Sequence, residues 1–144
     1  MVRVADTIEI DATAEAVFQF LDEPKNHATI TPAIGRIENI EPLDNGGKKL
    51  DYTYRMAGVP IDGHLSQTAH EPPTRHVFAL ESGIDGELGF DIEATESGCL
   101  VTYHATYTIP GRLLSRVVEP AVRRYNERQL KATLENLKNE IEAR

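Results

Sequence analysis

Five histidines and one cysteine are the most reactive side chains in this sequence, so zinc ligation, acid–base chemistry and thiol attack are weighed first. His64 and His70 stand six apart in a segment of period-two alternation, which is no ligand spacing for zinc. They share the polar parity of their strand, as His104 does in a later one. His70 and His76 flank Pro72-Pro73 and could pair across a hairpin, but two surface histidines without nearby carboxylates or thiolates make a poor metal site. All four are expected at the surface. Cys99 follows Gly98 at a hairpin, with no His or Asp pattern to activate it, and reads as a buried or half-buried thiol. Asn45-Gly46-Gly47-Lys48 lacks the flanking pattern of a phosphate loop and reads as a turn. The expectation is no metal, no cofactor and no catalytic residue.

The elements that must position any site follow from periodicity. Residues 2–10 alternate, with Val2, Val4, Ile8 and Ile10 on one side, and predict a strand. Thr13 is a hydroxyl cap before helix formers, and Val17, Phe18 and Leu21 fall on one helical face. Pro24 ends that helix and suits the first turn of a second, running to about Ile30. Period two then returns over 34–42, 49–57, 61–71, 75–82, 86–95 and 99–109, with short connections that imply an antiparallel meander. After Pro110-Gly111 the spacing is helical again. Leu114, Val118, Val122 and Tyr125 form one apolar stripe, and Leu130, Leu134, Leu137 and Ile141 another. A continuous helix from Leu113 to Ala143 is roughly 45 Å long, with Pro120 either kinking it or starting its main segment. Arg123, Arg124, Arg128 and Lys131 form its outer side, answered by Glu119, Glu127 and Glu135.

Strand parity identifies the dry face. It collects Leu50, Tyr52, Tyr54 and Met56; Ile61, Gly63, Leu65, Gln67 and Ala69; Leu88, Phe90 and Ile92; and Val101, Tyr103, Ala105 and Tyr107. The alternating acids Glu87, Asp91 and Glu93 make a solvated face. A core built only for packing favours aliphatic residues and Phe, whereas here tyrosine hydroxyls lie among the small residues Gly63, Ala69, Ala79 and Ala105. That mixture predicts a cavity with a few polar anchors between sheet and long helix, several hundred Å3 in volume if it binds a ligand. The competing reading is a filled core with hydroxyls reaching the rim.

Composition narrows the partners. With 144 residues there is room for one domain, 1–144. The net charge of −8 argues against nucleic acid and anionic membrane. No apolar run is long enough to span a bilayer, and residues 1–18 alternate rather than form a signal peptide. A lone cysteine fits a reducing compartment, so a cytoplasmic protein is expected.

The order strand, two short helices, six strands, long helix resembles the START-like or SRPBCC superfamily over the whole chain. IEIDATAEAVFQFLDEPKNHATITPAI resembles its opening, YTYRMAGVPIDG its middle strands, TYTIPG its last strand and LENLKNEIEAR its final helix. The resemblance implies an α+β helix-grip fold, β-α-α-β6-α, with a seven-stranded antiparallel sheet wrapped on the C-terminal helix. It also implies a binding or carrier role for a hydrophobic or amphipathic small molecule, such as a lipid, isoprenoid or polyketide-like compound. Ligand contacts are expected from Tyr52, Tyr54, Met56, Leu65, Gln67, Leu88, Phe90, Tyr103, Tyr107, Leu114, Val118 and Val122, with His27 as a gate residue. Thr31 stands where many relatives carry a tryptophan, which implies a less aromatic wall there. A cyclase/dehydratase-type enzyme using cavity tyrosines is the alternative, followed by a protein-interaction module. Arg55 and Asp51 have the wrong parity to supply an acid or base inside, so binding ranks above catalysis.

Overall fold

In the computed structural model, which describes residues 1–115 and 117–144, local sequence signals become elements almost where they stand. Strand β1 (Val2–Ile10) leads to helix α1 (Ala14–Asp22), whose Thr13 cap accepts a hydrogen bond from the Ala16 amide at 3.1 Å. Glu23 closes α1 and caps α2 (Pro24–Ile30), which starts on a proline that has no amide hydrogen to leave unsatisfied. Then come β2 (Ile34–Pro42), β3 (Lys48–Met56), β4 (Val59–Glu71), β5 (Arg75–Glu81), β6 (Asp85–Thr95) and β7 (Gly98–Thr108). The chain continues through α3 (Gly111–Leu114) and α4 (Glu119–Glu142).

The seven strands form one antiparallel sheet in the order β1-β7-β6-β5-β4-β3-β2, so the meander is closed on one side by β1 pairing with β7. Helix α4 packs chiefly against β1 and buries Leu130, Leu134, Leu137 and Ile141. At roughly 1.5–3 kcal/mol for each aliphatic side chain buried, this interface far outweighs the exposed pair Arg123–Glu127 on its outer face, worth a few tenths. The inner parity predicted for β3, β6 and β7 is present: Tyr52 lies opposite Gly63, Phe90 opposite Tyr103 and Leu88 opposite Ala105.

Strand parity fails in two places and the apolar stripe that begins at Leu114 fails in a third. A bulge between Gln67 and Ala69 in β4 reverses parity beyond it. His70 therefore turns inward and faces His76, which is fully buried, so neither is a surface histidine. Ala69 pairs with Val77, and Ala79 with Ser66, which puts both alanines on the outer face rather than among the cavity residues. In β2, register shifts after Ile34 and after Glu38 place Ile34, Ile37 and Ile40 inward at a spacing of three. Of the two roles open to Pro120, the structure shows the start of the main helical segment. Pro120 sits in the first turn of α4, and the preceding turn is α3. Leu113 is buried, but Leu114 is 43% and Val118 68% exposed, so the stripe drawn from Leu114 to Tyr125 joins residues that share no face.

Candidate functional site

Between the inner face of the sheet and helices α1, α2 and α4 lies a cavity of about 140 Å3. It is smaller than the several hundred Å3 expected from sequence. Its wall includes Tyr52, Tyr54, Met56, Leu65, Gln67, Leu88, Tyr103 and Tyr107 from the sequence expectation. Phe90 and Val122 are buried behind the wall, and Leu114 and Val118 lie away from it on the surface. His27 is on the wall. Thr31 is on the wall as expected, and sequence reasoning missed Asp22, Lys48, Asn126, Gln129 and Thr133. For Asn126 and Thr133 a signal existed: they continue the helical spacing of Val122, Leu130 and Leu134 on the buried face of α4.

The tyrosines differ in what their hydroxyls do. Tyr54 donates to Asn126 Oδ1 at 2.8 Å, and Asn126 Nδ2 donates to the Tyr107 oxygen at 2.7 Å. Tyr52 lies over Gly63, where a Cβ would come within 2.7 Å of its oxygen; only glycine lets the ring lie flat there. The Tyr52 hydroxyl is sealed from solvent and cavity alike and completes no hydrogen bond. Burial, and then the charge of Asp85, push it up to about 12, which the Ile84 backbone beside it only partly offsets. Tyr103 stacks on Phe90 at 4.2 Å between centroids and 10° between planes. Burial holds its hydroxyl up at about 12. Burial likewise raises Tyr54, helped by the neighbouring Tyr103, Tyr125 and Tyr107, and it raises Tyr107 against the opposing Asn126 hydrogen bond. All four are neutral phenols near pH 7.

The α1–α2 side has a different character. His27 donates from Nε2 to the Leu21 carbonyl at 2.7 Å, and burial holds it below the ordinary histidine range. Asp22 accepts from His70 Nε2 at 2.9 Å, while Lys48 Nζ donates to the Asp22 carbonyl at 3.0 Å. His76 stacks on Phe18 at 3.9 Å. Its Nδ1 accepts from Gln67 Nε2 at 2.7 Å, which leaves Nε2–H to donate to the Phe18 carbonyl at 3.2 Å. Burial pushes His76 down to about 4. Gln67 Nε2 also bonds the Ala69 carbonyl, so this amide nitrogen is held by the protein and is not free to orient a ligand. Thr31 bonds Thr133 Oγ1 at 2.8 Å and ties the end of α2 to α4.

The remaining candidates lie outside. His64 pairs with Asp51, and His104 with Asp91 at 3.2 Å, on the outer face. Cys99 is buried, and its thiol is raised by burial. Among the described residues no cluster of three metal-ligating side chains forms, and no helix is long and apolar enough to cross a membrane. Chemically, the cavity can seat an apolar ring and donate hydrogen bonds from neutral phenols.

A family model described as polyketide cyclase / dehydrase and lipid transport matches residues 1–142. No curated protein matches the chain significantly. Among solved structures, a START superfamily protein from Mycobacterium smegmatis is similar at 16% identity and a TM-score of 0.81, covering 98% of this chain and 97% of that one. A protein from Thermus thermophilus is similar at 14% identity and a TM-score of 0.84, covering 99% and 98%. The Zhui aromatase/cyclase from Streptomyces sp. R1128 is similar at 16% identity and a TM-score of 0.78, covering 99% and 94%. At these identities the structural likeness establishes the START-like helix-grip fold and nothing narrower.

Proposed function

The chain belongs to the polyketide cyclase / dehydrase and lipid transport family, and on that footing we propose that residues 1–144 act as one unit that binds or carries an apolar small molecule in the cavity under α4. The observation that carries this reading is the wall itself: mainly apolar side chains and neutral phenols around about 140 Å3, with Asp22, His27 and Lys48 on the α1–α2 side tied to protein partners. An engineered apolar cavity of roughly 150 Å3 takes up benzene. The volume therefore favours a compact ring, or the ring end of an amphipathic molecule, over a whole acyl chain. Tyr54, Tyr103 and Tyr107 supply polar contact, and Met56, Leu65 and Leu88 supply apolar contact. Native mass spectrometry of gently extracted protein, joined to NMR titration with small aromatic probes, tests this. Capture or saturable binding is expected; repeated absence of both overturns it.

A cyclase/aromatase-type activity is the second reading. It is favoured by a single feature, the Tyr103 hydroxyl, which has no hydrogen-bond partner among the described residues and could serve as a proton donor. A turnover assay in which Tyr103→Phe leaves the rate unchanged removes that role.

A further inference from the structure

The polar groups on the cavity wall are not equivalent, and the difference indicates what a ligand must offer. The Tyr52 hydroxyl is out of reach. Tyr54 and Tyr107 share Asn126, whose Oδ1 accepts from Tyr54 and whose Nδ2 donates to Tyr107, so both oxygens are tied to the amide and only the Tyr107 hydrogen is left over. Gln67 Nε2 is held by His76 and Ala69. Tyr103 alone lines the cavity with a hydroxyl that bonds no protein group among the described residues.

Packing also prevents Tyr103 from swinging away to find a partner. Its ring lies flat on Phe90, and Phe90 in turn meets the edge of His27 at 5.8 Å. The bond from His27 to the Leu21 carbonyl locks that ring to the end of α1. The stack thus fixes the Tyr103 ring in place on the cavity wall.

Resting on the reading that the cavity holds a ligand, we propose that Tyr103 is the ligand's polar anchor, its hydroxyl donating to an uncharged oxygen acceptor (a ketone, quinone, ester or lactone carbonyl) on an otherwise apolar, ring-sized molecule. A phenol is a better donor than acceptor, because its oxygen lone pair is delocalised into the ring. A buried donor left empty costs its full desolvation, so a carbonyl that fills it is selected over a hydrocarbon of the same shape. A carboxylate is disfavoured, since one neutral donor does not compensate for burying a charge.

Acetophenone and ethylbenzene share one carbon skeleton, and only the first carries a carbonyl oxygen. Their dissociation constants are measured by NMR titration against the wild-type chain and Tyr103→Phe. Dehydration of the carbonyl penalises acetophenone equally in both proteins, so the ratio of the two affinities isolates the Tyr103 contact. The ratio of acetophenone to ethylbenzene affinity is expected to fall at least fivefold in Tyr103→Phe. An unchanged ratio with both probes bound overturns the anchor and leaves the cavity reading standing. Failure of both probes to bind the wild-type chain overturns both. The Tyr103 Cζ resonance of the wild-type chain gives a readout independent of the variant's folding: it is expected to move with acetophenone and not with ethylbenzene, and the reverse overturns the proposal.

Discussion

The two sides of the cavity hold contrasting chemistry. On the α1–α2 side His27, Asp22 and Lys48 line the wall and His70 and His76 stand behind it, the residue types most often associated with catalysis. Yet His27 bonds Leu21, His70 bonds Asp22, His76 is held on both nitrogens, and Lys48 reaches the Asp22 carbonyl. These groups hold α1, the start of β3 and β4 together. On the opposite side β3, β7 and α4 contribute phenols, amides and a threonine, and Tyr103 is the phenol there that makes no protein hydrogen bond among the described residues. Reactive residue types do not by themselves mark a site; an unengaged polar atom facing a void is the better guide.

If that contrast is right, substitutions on the histidine side cost stability, and those on the tyrosine side cost binding. His76→Ala removes a fully buried, stacked ring together with two hydrogen bonds. It is expected to destabilise the fold by about 3–4 kcal/mol in chemical denaturation, with the cavity reshaped only indirectly. A loss under about 1 kcal/mol would dissolve the distinction.

His76 also sets a pH dependence. The unfolded chain takes up its proton near pH 6.5, while the folded chain resists until about pH 4. Its contribution is therefore complete above pH 6.5, declines as pH falls between 6.5 and about 4, and declines no further below that. The decline is about 3 kcal/mol for this group, and buried His27 adds to it with the same sign. His76→Ala should flatten the stability curve in this window.

Asn126→Ala probes the tyrosine side more gently. It leaves the Tyr54 and Tyr107 hydroxyls without their shared partner, with an expected cost of about 2 kcal/mol and weakened probe binding. The smallest effect belongs to Tyr103→Phe. It breaks no intramolecular hydrogen bond, so its unfolding midpoint should correspond to a change within about 0.5 kcal/mol of the wild-type chain. A larger shift would mean that Tyr103 is structural too.

The same contrast marks what the sequence can reveal. In β3, β6 and β7 the register runs unbroken, so parity alone places Tyr52, Tyr54, Tyr103 and Tyr107 on the inner face. In β4 one extra residue after Gln67 reverses every side chain that follows, and no residue in that stretch announces it. Simple alternation misplaces His70 for that reason. His76 is hidden differently: Val77 and Ala79 make the other parity of β5 as apolar as Phe78 and Leu80 make its own, so alternation cannot choose its face. The break before α4 is half legible, since Pro120 suits either a kink or a first turn. Only the exposure of Leu114 and Val118 decides between them. Asn126 escapes a reading that equates polarity with the outer face, although its spacing puts it between Val122 and Leu130.

The central claim is that the unengaged tyrosine side, and not the reactive histidine side, receives a ligand. Backbone amide shift mapping during titration with acetophenone tests it most directly. Saturable shifts are predicted at Leu88, Tyr103, Ala105 and Asn126, with smaller ones at His70 and His76. Shifts centred on the histidines, or none at saturating probe, would contradict it.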